Sequence, residues 1–138
     1  MTVTYHRLSV FCALILSAAT LLAAENGWMR KVPAADRERV NPCAGRPEAI
    51  RAGAILFADH RAECHGKDAL GRHGRPSLRS EEVAHATDGE LAWVLRNGVL
   101  SKGMPSWSTL PEQERWQIIA YLRSLGPADP QGTGGLSH

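Results

Sequence analysis

The stretch "RAECHGKDALGR", residues 61–72, decides how the rest of the chain is read. It sets the thiol of Cys64 directly before the imidazole of His65 and then turns into a loop carrying Gly66 and Gly71. A thiol can form a covalent bond to carbon and a neutral imidazole can ligate a metal ion. Three positions before Cys64, where a second thiol would complete a symmetrical pair, stands Arg61.

Cys64-His65 is the second half of C-x-x-C-H, the attachment signal of c-type haem. In that signal each thiol adds across one haem vinyl group, and the histidine binds the iron. A lone Cys-His pair is weak evidence, so the surroundings carry the weight. Upstream, Pro47 opens a helix at the position where its missing N–H is harmless. Ile50, Ala54, Phe57 and Ala58 then recur at helical spacing and predict an inward stripe ending near His60. Residues 64–86 are Gly-rich and irregular, with a short helical turn expected near 80–85. Thr87-Asp88-Gly89-Glu90 forms a capping box for a second helix, with Leu91, Val94 and Leu95 on one face and Asn97-Gly98 as its stop. A third helix starts after Pro111, carries Ile118, Tyr121, Leu122 and Leu125 on one face, and ends at Gly126-Pro127.

Between the second and third helices lies "KGMPSW", 102–107. Met104 there is a soft sulfur ligand on irregular chain, with Gly103 allowing close approach and Pro105 fixing the turn. A His/Met pair fills both axial positions of a haem iron and raises its reduction potential, which suits electron transfer. Long loops in a small domain are where function is expected. A domain of roughly 80 residues buries only about 60% of its unfolded surface, so a large apolar cofactor at the centre would help it fold.

Taken together, "NPCAGRPEAIRAGAILFADH", "CHGKDALGR", "RPSL", "TDGELAWVLRNG", "GMPSWSTL" and "RWQIIAYLRSL" resemble a class I c-type cytochrome domain of the small bacterial monohaem kind, over residues 41–126. The resemblance implies an all-α cytochrome c-like fold, with three main helices and long loops around one haem. It implies that Cys64 carries a thioether, that His65 is the proximal ligand and that Met104 is the distal one. It implies that the Pro76 carbonyl accepts the other ring N–H of His65. Leu78 and Trp107 match positions that pack on or near the porphyrin, and the Trp107 indole N–H is placed to donate to a propionate. The chain departs from the family at Arg61, which leaves haem c held by a single thioether as the leading expectation. Haem held only by His65 and Met104, and a haem-free cytochrome fold serving as an interaction module, are the alternatives. Arg61 is expected to lay its stem on the ring edge and its guanidinium in water.

At 138 residues the chain is expected to hold one folded domain behind a leader. Arg7 followed by the uncharged run from Leu8 to Ala24 has the anatomy of a secretory signal, so 1–24 is read as a signal peptide or retained anchor. Residues 25–46 are read as an extended arm, 47–126 as the cytochrome domain and 127–138 as a flexible tail. Export implies a periplasmic location. The expected partners are redox proteins, such as a periplasmic dehydrogenase or a terminal oxidase. With 16 Lys and Arg against 14 Asp and Glu, and no basic run interleaved with aromatics, nucleic acid is not an expected partner. No acid–base residue stands at a recognisable spacing on the distal side, so an electron carrier is read in preference to an enzyme.

Cys43 is expected to be a buried or free thiol, with a Cys43–Cys64 disulfide as the plain alternative in an oxidising compartment. His60, His73 and His85 are read as surface imidazoles. A zinc site from His60, Cys64, His65 and His73 is the competing metal reading. Arg72, Arg75 and Lys102 are read as a solvated face, with steering of an acidic partner as the functional option.

Overall fold

The computed structural model describes residues 27–128. The chain divides into two units, Met1–Lys31 and Val32–His138. The described part of the first is a single 3-10 turn at Met29–Lys31, closed by the Lys31 N–H donating to the Trp28 carbonyl at 3.1 Å. The leader expected over 1–24 lies outside the described residues.

The second unit is helical, and no strand is present among the described residues. Its α-helices are α1 (Ala34–Arg37), α2 (Pro47–His60), α3 (Ala62–His65), α4 (Glu81–His85), α5 (Asp88–Asn97) and α6 (Glu112–Leu125). The three longest are the three expected from the sequence. None of the described helices is long and apolar enough to cross a membrane.

The main interface of the fold is α2 against α6, with α5 packed on α6. Phe57, Ile118 and Ile119 lie fully inside, and the Phe57 and Tyr121 rings meet at 5.5 Å between centroids. The inward face of α2 is Ala49, Gly53 and Phe57, one step round from the predicted stripe, and Ala58 is exposed. Gly53 explains the rotation. A Cβ built there would lie 2.0 Å from the Gln117 carbonyl oxygen of α6, so the two helix backbones cross at a glycine. A glycine adds nothing to a hydrophobic stripe, yet here it marks the centre of the contact.

The capping box at Thr87 forms as read: the Thr87 hydroxyl accepts from the Glu90 N–H at 3.1 Å, and the Glu90 carboxylate accepts from the Thr87 N–H at 2.8 Å. The segment read as an extended arm contains, within its described part, the 3-10 turn and α1. Helix α1 packs against α5, and Asn41 and Cys43 are buried. The Asn41 side-chain amide donates to the Trp116 carbonyl at 3.0 Å, and Arg39 lies over the Trp116 ring at 5.1 Å. These contacts fix residues 34–43 on α5 and α6 without any hydrophobic period that a sequence reading could detect.

Replacing Gly53 by Ala drives a methyl group into helix backbone that no rotamer change can relieve. Gly53→Ala is expected to destabilise the fold by roughly 1–3 kcal/mol, the usual cost of overpacking. Chemical denaturation of the variant beside the parent chain checks it, and an unchanged midpoint would contradict this helix crossing.

Candidate haem-binding site

Helix α2 stops at His60, and Arg61 closes it with its N–H on the Phe57 carbonyl at 2.8 Å. One further turn, α3, carries Cys64 and His65. It ends at Gly66, whose φ of 81° lies in the region that favours glycine. The chain then curls back on itself: the Gly71 N–H donates to the His65 carbonyl at 2.7 Å, and the Leu78 N–H to the Ala69 carbonyl at 2.8 Å. This curl lays Pro76 against His65.

His65 is 6% exposed, and its Nδ1 is 3.0 Å from the Pro76 carbonyl oxygen. A carbonyl can only accept, so Nδ1 carries the proton and Nε2 keeps its lone pair. Burial holds the imidazole pKa below its ordinary value. The Pro76 hydrogen bond opposes that shift, while the nearby charges of Arg61 and Arg75 add to it. The ring is therefore an oriented, neutral donor, the form a metal ligand needs. Cys64, one residue earlier, is exposed and has a free thiol.

Met104 sits half-buried at the end of a tight loop. The backbone of Met104 and Val99 exchanges two hydrogen bonds, of 2.9 and 3.1 Å, across a 3-10 turn at Leu100–Lys102. Three residues on, the Trp107 N–H donates to the Leu95 carbonyl of α5 at 3.0 Å. Two arginines join this loop to the segment that holds His65. The Arg75 guanidinium, next to Pro76, donates to the Gly103 carbonyl at 2.9 Å and, more weakly, to the Lys102 carbonyl at 3.4 Å. The Arg61 guanidinium lies over the Trp107 ring at 4.1 Å, and His60 meets the same ring edge-on at 5.6 Å.

Arg61 therefore does not put its guanidinium in water, contrary to the expectation from its position before Cys64. It is 4% exposed, because the flat face of Trp107 offers it an attractive surface within the fold. Burial pushes its pKa down to about 10, with the charge at Cys64 working the other way, so it remains cationic at neutral pH. Arg75 is likewise more than a solvated charge. Neither role carries a sequence signal, since both partners lie far along the chain.

Leu78 is half-buried and lines a cavity of about 140 Å³ with Val83, Leu91 and Leu122, walled by Arg79 and Arg123. Cys64, His65, Met104 and Trp107 do not line that cavity. Cys43 and Cys64 are both free, so the disulfide alternative does not hold. Among the described residues, no group of three or more His, Cys, Asp or Glu side chains could hold a metal ion. That removes the zinc reading, whose four residues His60, Cys64, His65 and His73 form no such group.

An all-α fold with a carbonyl-held histidine after a Cys, and a Met loop tied to it, is the layout of a c-type cytochrome domain. The chain matches the family described as "Cytochrome C oxidase, cbb3-type, subunit III" over residues 48–122, more than half its length, and it belongs to that family. It is 31% identical over 100 residues to the cbb3-type cytochrome c oxidase subunit FixP of Sinorhizobium medicae (strain WSM419), covering 60% of this chain and 32% of that one. It is 32% identical over 85 residues to FixP of Rhizobium meliloti (strain 1021), covering 59% and 29%. It is 31% identical over 84 residues to subunit CcoP of Rubrivivax gelatinosus, covering 59% and 28%. The chain thus spans about a third of the length of the curated relatives it matches.

The residues present fit a haem on the chemistry of the donor set. His65 offers a free Nε2, Cys64 an accessible thiol and Met104 a thioether, while Nε and Nη2 of Arg61 and Nε1 of Trp107 are buried donors with no acceptor. Arg75→Ala is expected to loosen the Met104 loop. Amide exchange at Val99 and Met104 should quicken by roughly fivefold, the equivalent of about 1 kcal/mol for one partly exposed hydrogen-bonding group. Hydrogen-exchange mass spectrometry of the 99–107 segment reads it directly.

Proposed function

We propose that the chain is a monohaem electron-transfer domain with haem c attached through Cys64 alone, His65 as proximal and Met104 as distal ligand. The observation that carries the reading is the double tie between the two ligand segments. Arg75 reaches the Met104 loop from beside Pro76, and Arg61 meets Trp107 from beside Cys64. The haem iron supplies one-electron redox chemistry.

The chain's own residues do the rest. The Pro76 carbonyl fixes the His65 ring and makes its Nε2 a stronger donor. Cys64, whose thiol is free and exposed, would hold the haem through one thioether to a vinyl group. Met104 would be the second iron ligand, and a His/Met-held haem would leave no open position for oxygen or peroxide, which suits electron transfer. Leu78, half-buried two residues after Pro76, would supply apolar surface to the porphyrin.

One electron arrives from a reduced donor, such as a periplasmic dehydrogenase, and leaves to an acceptor of the terminal-oxidase kind; the domain has no substrate of its own. The oxidase side is supported by the names of the relatives, which are subunits of cbb3-type oxidases. The leader-like run from Leu8 to Ala24 supports an exported domain over 47–126, with 25–46 as its N-terminal segment and 127–138 as a tail.

Expression of the full chain with a haem-attachment system, followed by denaturation, tests the attachment. Haem should stay on the polypeptide, and its reduced alkaline pyridine spectrum should be red-shifted, as one free vinyl group requires. Arg61→Cys should restore the second thiol and move that spectrum back to the two-thioether position. Haem that extracts into acid-acetone, or a folded colourless protein, would contradict the single-thioether reading. Met104→Ala should lower the reduction potential, and an unchanged potential would remove Met104 from the iron.

A further inference from the structure

The buried donors at Arg61 form a pattern with a chemical meaning of its own. Nε and Nη2, both without a partner, occupy the edge of the guanidinium that pairs side-on with the two oxygens of a carboxylate. The third unpaired donor, Nε1 of Trp107, belongs to the ring on which that guanidinium stacks. No carboxylate among the described residues takes this edge. Among the described residues, Arg37, Arg39, Arg46, Arg96 and Arg123 each pair with a carboxylate, and Arg61 does not. His60 meets the same indole edge-on, Cys64 and His65 follow on the next turn, and Arg75 acts on His65 from the 72–76 loop. A buried cation with no anion is among the costliest arrangements a fold can keep, and buried polar groups as a rule find partners.

We infer that the side-on edge of Arg61, together with the Trp107 indole N–H, is a binding site for one carboxylate group. The fork geometry selects a planar two-oxygen anion over a monatomic one. Stacking on the indole holds the guanidinium plane so that its edge stays presented. Two sources share this chemistry: a propionate of the porphyrin, and a small free carboxylate such as formate. The first rests on the haem reading above, whereas the second stands without it.

The test uses the full chain loaded with haem, titrated with formate while its reduction potential is followed. A free carboxylate that binds here neutralises the Arg61 charge near His65 and favours the oxidised iron. The potential then falls saturably, and both Arg61→Gln and Arg61→Lys weaken the effect at least about tenfold, as loss of a charge-assisted pair predicts. Lysine keeps the charge and lacks the fork, so equal losses in the two variants identify the fork as the determinant. If a propionate fills the site, formate has no effect on the parent chain, and Arg61→Gln shifts the propionate-bending band in the resonance Raman spectrum. Should the chain fold without haem, isothermal titration with formate replaces the redox readout, and binding lost in Arg61→Gln supports the site while the haem reading fails. No response to formate in either state, with the propionate band unmoved by Arg61→Gln where haem is present, overturns the proposal.

Discussion

Two arginine side chains tie the segment bearing His65 to the loop bearing Met104, and the candidate site depends on those ties. The two segments are separated in the chain by α4 and α5. Arg75 holds that loop by its backbone carbonyls, and Arg61 holds it by the face of Trp107. Without them the loop would rest on its local turn, on the Trp107 N–H bond to the Leu95 carbonyl, on the Ser106 hydroxyl bond to the Arg96 carbonyl, and on the weak bond from Arg115 to the Trp107 carbonyl. On the proposed reading, a loop already held in place loses less conformational freedom when a cofactor binds, and these contacts supply that order.

Arg61 occupies the position where the c-type attachment signal has its first cysteine, and the fold has absorbed the change by taking the side chain inside. A desolvated cation on an indole face gains about 2 kcal/mol or more, which offsets only part of the cost of removing it from water. The remainder is an unmet demand for an anion, recorded in the Nε and Nη2 atoms that have no acceptor. The substitution is therefore coupled chemically to whatever the site binds. Where the attachment signal has a thiol, Arg61 places a charge and a planar hydrogen-bonding edge, and the reduction chemistry of any nearby iron would feel that charge.

Much of the architecture was legible in the sequence because its determinants are local. Pro47, the Thr87–Glu90 capping box, Asn97-Gly98 and Gly126-Pro127 each mark a helix end through residues adjacent in the chain. The contact between His65 and Pro76 was legible only through the family resemblance, since nothing in the spacing requires the loop to curl back. Three features were not legible. The α2 face was misplaced by one step because Gly53, the true centre of the crossing, has no side chain to score. The ordering of residues 34–43 depends on a side-chain amide and a cation over Trp116, which leave no periodic trace. The burial of Arg61 depends on Trp107, a partner brought near only by the finished fold.

The central claim is that the sulfur of Met104 and the imidazole of His65 share one iron. Proton NMR of the reduced, haem-loaded chain tests it most directly, because a methionine methyl group seated over a porphyrin is displaced far upfield by the ring current. The account predicts one such methyl resonance, lost in Met104→Leu while the haem remains attached. A reduced spectrum without that resonance, or one that keeps it in Met104→Leu, would contradict the account.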